Sequence, residues 1–214
     1  FSVKGGRAKP IKVYSKDSAF KELKELEKDN SYLITYKDLN YSELLLQIPD
    51  FPPVLSYKGN ISLLNHEKII AVVGARNSSV NGKAFAAKLS KDLVKAGYVT
   101  VSGLARGIDA AAHYSALPLT IAVIAGGINN IYPPENTALY HQIVKEGGLI
   151  IAESRVDSAP LAQHFPQRNR IISGLSEVIL VVEASLKSGS LITAKTALEQ
   201  GRDVCAAPGF PLDP

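Results

Sequence analysis

The chain has 214 residues, 46% of them apolar, with 24 Lys and Arg against 20 Asp and Glu for a formal net charge of +4. This argues against disorder, leaves room for one α/β core with a small appendage, and tilts toward polyanionic partners without identifying one. A single cysteine, Cys205, excludes an intrachain disulfide and suits a reducing, cytoplasmic setting, while apolar runs such as 178–182 are too short to span a bilayer and predict no membrane role.

Residues 1–10 are basic and glycine-containing and read as a linker. Over 17–28, Ala19, Phe20, Leu23 and Leu26 recur at helical spacing, with lysines and glutamates on the other, solvated side. A strand is predicted at 32–35, a short helix at 42–47, and a proline-stiffened turn at 49–53 leading into a strand at 54–57. Residues 1–57 are therefore expected to form an N-terminal linker and edge-covering segment. Residues 58–214 are expected to form the core, with a truncated C-terminus. Met is absent and the chain opens on Phe1, as expected of an internal piece of a longer protein, so spacings are read with tolerance. The Leu117-Pro118-Leu119 junction is one such place, because a helix there would run into a strand with almost no turn.

Beyond His66, strands at 68–73, 98–101, 120–124, 149–152, 177–182 and 203–206 alternate with helices at 79–96, 108–117, 135–145, 161–172 and 191–200. In the first of these helices Phe85, Ala86, Leu89, Leu93 and Ala96 make an apolar stripe opposite Lys88, Lys91, Asp92 and Lys95. Short apolar strands separated by helices predict an extended Rossmann-like α/β fold, a doubly wound, mostly parallel sheet with helices on both faces. Ligands of such sheets bind at the carboxyl ends of the strands. The loops at 74–77, 102–107, 126–127, 154–155 and 185–190 fall there, and each carries Gly, Ser or Arg.

The first loop reads GARNSS, not the glycine fingerprint of a dinucleotide site. Arg76 suits a phosphate lying across that loop, or else pairs with a surface carboxylate. In SGLARGID, Gly103 and Gly107 permit close backbone approach, and Asp109 reads as a structural acceptor at a helix start. Arg168 and Arg170 diverge from a helix, so one is expected to bind ligand and the other to brace. Phe165 offers a base a stacking surface or anchors the core behind Pro166. Ser188 or Ser190 is a natural N-cap, and Lys187 is poorly placed before a helix unless an anion offsets the dipole. No Walker A pattern or nucleophile elbow occurs, and His66, His113, His141 and His164 are too scattered to suggest a metal pair. Glu153 and Glu183, at strand ends, are the carboxylates placed for acid–base work. The site is thus expected to hold phosphate without metal, cofactor or catalysis.

The segments SGLARGID, IYPPEN, FPQRNRIISGLS and SGSLITAKTALEQGRDV, in that order, resemble the DNA-processing protein A family, also called DprA or Smf, over about residues 41–209. The resemblance implies an extended Rossmann-fold protein, not an enzyme, that binds and protects incoming single-stranded DNA, dimerises, and loads the RecA recombinase during natural transformation. Carried over by position, its strand-binding pocket would comprise Arg76, Ser102, Gly103, Arg106, Gly107, Phe165, Arg168, Asn169, Lys187, Ser188, Gly189 and Ser190, with Arg170 in support. Family members commonly carry a small helical domain ahead of this region and often a winged-helix domain behind it, so dimer and RecA contacts are not assigned. An alternative is a nucleoside-monophosphate phosphoribohydrolase-like enzyme of similar fold. Those enzymes have a P-G-G-x-G-T-x-x-E loop where this chain reads KSGSLITAK, without the catalytic acid.

Overall fold

The central strands are near-continuous apolar runs whose successive side chains face opposite ways, so each strand supplies two layers of core. In the computed structural model, which describes residues 15–186 and 188–209, eight strands form one sheet. They are β1 (Tyr32–Thr35), β2 (Val54–Gly59), β3 (Ile69–Val73), β4 (Val99–Ser102), β5 (Thr120–Ile124), β6 (Leu149–Ala152), β7 (Val178–Val181) and β8 (Asp203–Ala206). Their order is β1-β2-β6-β5-β4-β3-β7-β8. The six strands from β6 to β8 run parallel, while β1 and β2 add to the β6 edge antiparallel. The described helices are α1 (Lys16–Lys28), α2 (Glu43–Leu46), α3 (Val80–Lys95), α4 (Ile108–Ala116), α5 (Thr137–Lys145), α6 (His164–Gly174) and α7 (Gly189–Glu199), with 3₁₀ turns at Ile61–Asn65 and Pro134–Asn136.

On one face Ile121, Val123, Leu149 and Ile151 pack with Leu45 of α2, Leu64, Ile171 and Ile172 of α6, and Ala197 of α7. On the other, Ala122, Ile124 and Ile150 meet Leu26 of α1 and Leu139, Tyr140 and Ile143 of α5, while Val72 meets Ala86 of α3 and Ile108 and Ala112 of α4. This is the expected α/β sheet covered on both faces. The boundary drawn at 57/58 falls inside β2, whose pairs with β6 run from Ser56↔Ala152 to Gly59↔Leu149. β1 and β2 thus belong to the sheet itself, and α2 between them packs on one of its faces. The abrupt junction after α4 is as short as it reads, with Leu117, a cis-linked Pro118 and Leu119 leading into β5. Helix α6 starts at His164, later than 161, and runs on to Gly174, where an added Cβ would crowd Leu45 and Ile48. None of the described helices is long and apolar enough to cross a membrane.

From β3 the chain steps through β4 and β5 to β6 on one side, then returns through α6 to β7 on the other side of β3. The direction of winding therefore reverses beside β3, and at such a switch point the flanking loops splay apart and leave a crevice.

Candidate functional site

The loop after β4 is held rigid from several sides. Asp109, buried in the first turn of α4, accepts the N–H groups of Gly103 (3.1 Å) and Ala105 (3.3 Å) through Oδ2. Burial pushes its carboxyl up, against the pull of Arg168 and of these donors. Asn136 donates to the carbonyls of Leu104 (2.8 Å) and Ala105 (3.1 Å). Leu104 is left-handed, with φ 56°, and its amide donates to Nε2 of His113 at 3.4 Å. Thr120 Oγ1 lies 2.7 Å from His113 Nδ1 and gives its one hydrogen to Thr100 O at 3.0 Å. Nδ1 must then carry the imidazole proton, and Nε2 is free to accept. Burial, aided by the nearby Arg168 charge, pushes His113 down to about 3, so the ring stays neutral.

The same loop carries the β3 loop against it. Ile108 N–H donates to Ala75 O at 3.3 Å, and Gly107 has φ 76° with no room for a Cβ against Ala75 O and Arg76 O. Gly107→Ala is expected to cost about 2 kcal/mol in urea unfolding, combining left-handed strain with that collision. Loss below about 0.5 kcal/mol would mean the two loops part easily.

Between these loops, the end of β7 and the start of α7 lies a cleft of about 510 Å³. Arg76 is exposed at its mouth, its guanidinium carbon 5.1 Å from the centroid of the half-buried Phe165 ring. Among the described residues it forms none of the ion pairs, so the surface-carboxylate alternative does not describe it. Phe165 meets the edge of Tyr132 at 5.7 Å. A second compartment of about 240 Å³ adjoins the cleft, lined by Arg106, Tyr132 and Pro133 together with Arg76, Asn77, Gly103, Ala105 and Phe165. Arg106 pairs with Glu135 at 2.8 Å, both side chains more than half exposed. Such a pair is weak and leaves the guanidinium reachable.

Two expected contacts lie deeper than anticipated. Arg168 is only 6% exposed. Its Nη1 donates to Gly103 O at 2.6 Å and to Val123 O, and its Nε donates to Asn169 Oδ1 at 3.2 Å. Only Nη2 is left to offer the cleft that the residue lines. Burial pushes its guanidinium down to about 10, although Asp109 pulls the other way. Arg168 is thus a brace, as is Arg170, which pairs with Asp50 (3.0 Å) and Glu153 (2.6 Å). Of the two, only Arg168 lines the cleft, and it does so while bracing the loop after β4. Ser102 is also fully buried and donates to Val72 O at 2.6 Å, tying β4 to β3 beneath the cleft. Gly103 gives its N–H to Asp109, and an added Cβ would strike the Arg168 guanidinium.

At the opposite wall Ser188 caps α7, accepting the N–H of Ser190 at 3.3 Å, and its Oγ lies 2.6 Å from Ser190 Oγ. Both line the cleft with Gly189 and Asn169. Asn169 donates to Gly189 O at 3.4 Å, joining α6 to the start of α7. Lys187 lies outside the described residues. Both strand-end carboxylates have partners, and Glu183 also lines the cleft. Glu183 accepts from the Ser79 amide (3.1 Å) and hydroxyl (2.9 Å) before α3, and Glu153 is held by Arg170. The described residues contain no group of three or more His, Cys, Asp or Glu placed to hold a metal ion. Tyr132 and Asn136 are not among the residues expected at the site. IYPPEN contains Tyr132 and Asn136, but its spacing alone does not show which loop it meets.

The model of the family described as DNA recombination-mediator protein A matches residues 32–214. The chain belongs to this family. It is 46% identical over 201 residues to Protein Smf of Synechocystis, covering 90% of this chain and 50% of that relative. Against the DNA processing protein DprA of Streptococcus pneumoniae it is 45% identical over 193 residues, covering 89% of this chain and 67% of the relative. The X-ray structure of the pneumococcal DprA aligns with a TM-score of 0.84 at 41% identity, over 94% of this chain and 69% of that one. DNA processing protein A of Helicobacter pylori, whose structure is described for its single-stranded DNA binding mode, aligns at 0.79 with 30% identity, over 85% and 83%. The chain spans about half the length of the Synechocystis and Escherichia coli Smf proteins, 50% of each. All four motifs that carried the resemblance lie inside the family match, and the two family structures share the α/β fold.

Proposed function

We propose that this chain is the strand-holding core of a cytoplasmic DNA-processing protein that binds single-stranded DNA without reading its sequence. In the whole protein, a homodimer would protect incoming DNA and load RecA onto it during natural transformation. The observation that carries this reading is Arg76, an exposed guanidinium lying over the accessible Phe165 ring at the switch-point cleft. A cation supplies the phosphate contact, and the ring supplies a face on which any base can stack. The Helicobacter pylori relative's described single-stranded DNA binding supports the same substrate. The proposed contacts are Arg76, Arg106, Phe165, Lys187 and the Ser188-Gly189-Ser190 turn. Ser102, Gly103, Gly107, Arg168 and Asn169 would shape the cleft. Glu153 is held by Arg170, and Glu183, which lines the cleft, accepts from Ser79; binding rather than hydrolysis is the proposed role.

Fluorescence anisotropy with labelled oligonucleotides across a salt series tests this. Affinity should favour single over double strands and fall with salt. Arg76→Ala and Lys187→Ala should each reduce the slope of log affinity against log salt by about 0.7. Unchanged slopes in both variants would remove the cleft from the binding surface. Base release from a nucleoside monophosphate, abolished by Glu183→Gln, would instead support the hydrolase alternative.

A further inference from the structure

Two acids line the larger cleft, Asp109 and Glu183. Asp109 is buried behind the loop after β4, whose amides it accepts, whereas Glu183 is half-buried. Glu183 lies just past the end of β7, and Ala75 N–H donates to its carbonyl at 2.6 Å, which fixes its backbone against the β3 loop. Its side chain is fixed as well. Both carboxylate oxygens accept the amide of Ser79 at 3.1 Å, and Oε2 also accepts the Ser79 hydroxyl at 2.9 Å. Ser79 is the N-cap of α3, whose first turn carries no acidic residue of its own. Gly82 in that turn leaves room for the carboxylate, since an added Cβ would collide with Oε2. In sheets of this kind a ligand phosphate takes backbone donors at such a helix start. Here the protein's own acid fills that place. Glu183 enters none of the ion pairs among the described residues, so its charge on the cleft wall is met by the α3 dipole and not by a cation.

We propose that Glu183 is a specificity-determining residue, a fixed negative charge that admits the singly charged diester phosphates of a strand and turns away the doubly charged terminal phosphate of a free nucleotide. The inference rests on the single-stranded reading above and adds to it what the cleft rejects. At a given distance a carboxylate opposes a dianion twice as strongly as a monoanion. Arg76 by itself favours the dianion in the same proportion, and Glu183 offsets that advantage. By occupying the start of α3 it also withholds the donors that a terminal phosphate would use. Free mononucleotides then compete poorly with a strand for the same cleft.

The test is competition at low salt and about pH 8, where a monoester phosphate carries two charges. Labelled oligothymidine without a terminal phosphate is displaced by thymidine 5′-monophosphate or by its methyl ester, which has the same base and sugar but one charge. Glu183→Gln keeps an oxygen that accepts from Ser79 and loses the charge. It should strengthen binding of the monoester roughly tenfold and of the methyl ester roughly threefold, because the second charge doubles the energy and so squares the factor. Glu183→Asp, which keeps the charge, should keep the unsubstituted chain's ratio of the two affinities. Retained oligothymidine binding shows that the glutamine variant is folded. Equal changes for the two competitors, no change in either, or no displacement of the strand by either overturns the inference while the phosphate cleft stands. Loss of oligothymidine binding by the glutamine variant overturns it too, since Glu183 would then act only as the cap of α3. If the unsubstituted chain does not bind oligothymidine, the single-stranded reading fails and the selectivity with it.

Discussion

Replacing Arg168 by methionine is expected to lower the free energy of unfolding by roughly 3–5 kcal/mol, seen as a drop in the urea midpoint at unchanged m value. Methionine fills the space of the arginine stem, so the loss is chiefly polar. Two buried carbonyls, Gly103 O and Val123 O, and the Asn169 side chain lose charge-assisted donors. Each such bond to a charged group contributes about 1.5–3 kcal/mol, and a carbonyl left unpaired in the interior carries its own desolvation cost. Asp109 also loses the positive charge that offsets its burial. Arg168→Lys should recover only part of the loss, since one ammonium has no fork to reach both carbonyls and Asn169. Arg76→Ala, at an exposed side chain, should by contrast weaken DNA binding with little change in stability. A drop below about 1 kcal/mol for Arg168→Met would show that this guanidinium belongs to the open surface.

That contrast also marks how far the residues speak for themselves. Strands β1, β5, β6 and β8 coincide with their sequence-predicted bounds because each is a short, largely apolar or β-prone run between turn residues. The pairing of β1 and β2 onto β6 is not local information. Nothing in Val54 to Gly59 shows whether its backbone pairs with a sheet or merely lies over one, and the Ser56↔Ala152 register joins residues 96 positions apart. The cleft's place was legible from the alternation of strands and helices, and Arg76 and Phe165 from their loop and helix-start positions. The two arginines of RNR were legible as diverging but not as both bracing. Their partners Gly103, Val123, Asp50 and Glu153 come from four separate parts of the chain. Tyr132 had no periodic or charge signal at all, since only the turn through Pro133 and Pro134 brings it beside Phe165.

His113 should make this protein lose stability in mild acid in a way that one substitution removes. Its folded-state value of about 3 lies below the 6.5 of an unperturbed imidazole, so the unfolded chain takes up the proton first. The contribution of this residue is complete above pH 6.5 and declines by about 1.4 kcal/mol per pH unit as pH falls toward 3. Between pH 6.5 and about 4 the loss is on the order of 3 kcal/mol. Asp109, with its carboxyl pushed up by burial, acts in the opposite sense, because its protonation relieves the cost of a buried charge. The net profile of the protein therefore mixes the two. Comparing it with His113→Gln, which keeps an acceptor for Leu104 and a donor for Thr120 but cannot titrate, isolates the imidazole. Chemical denaturation across this range should give a difference in slope near one proton. Parallel slopes for the two proteins would mean that the ring is protonated in the fold and that another group holds the Leu104 amide.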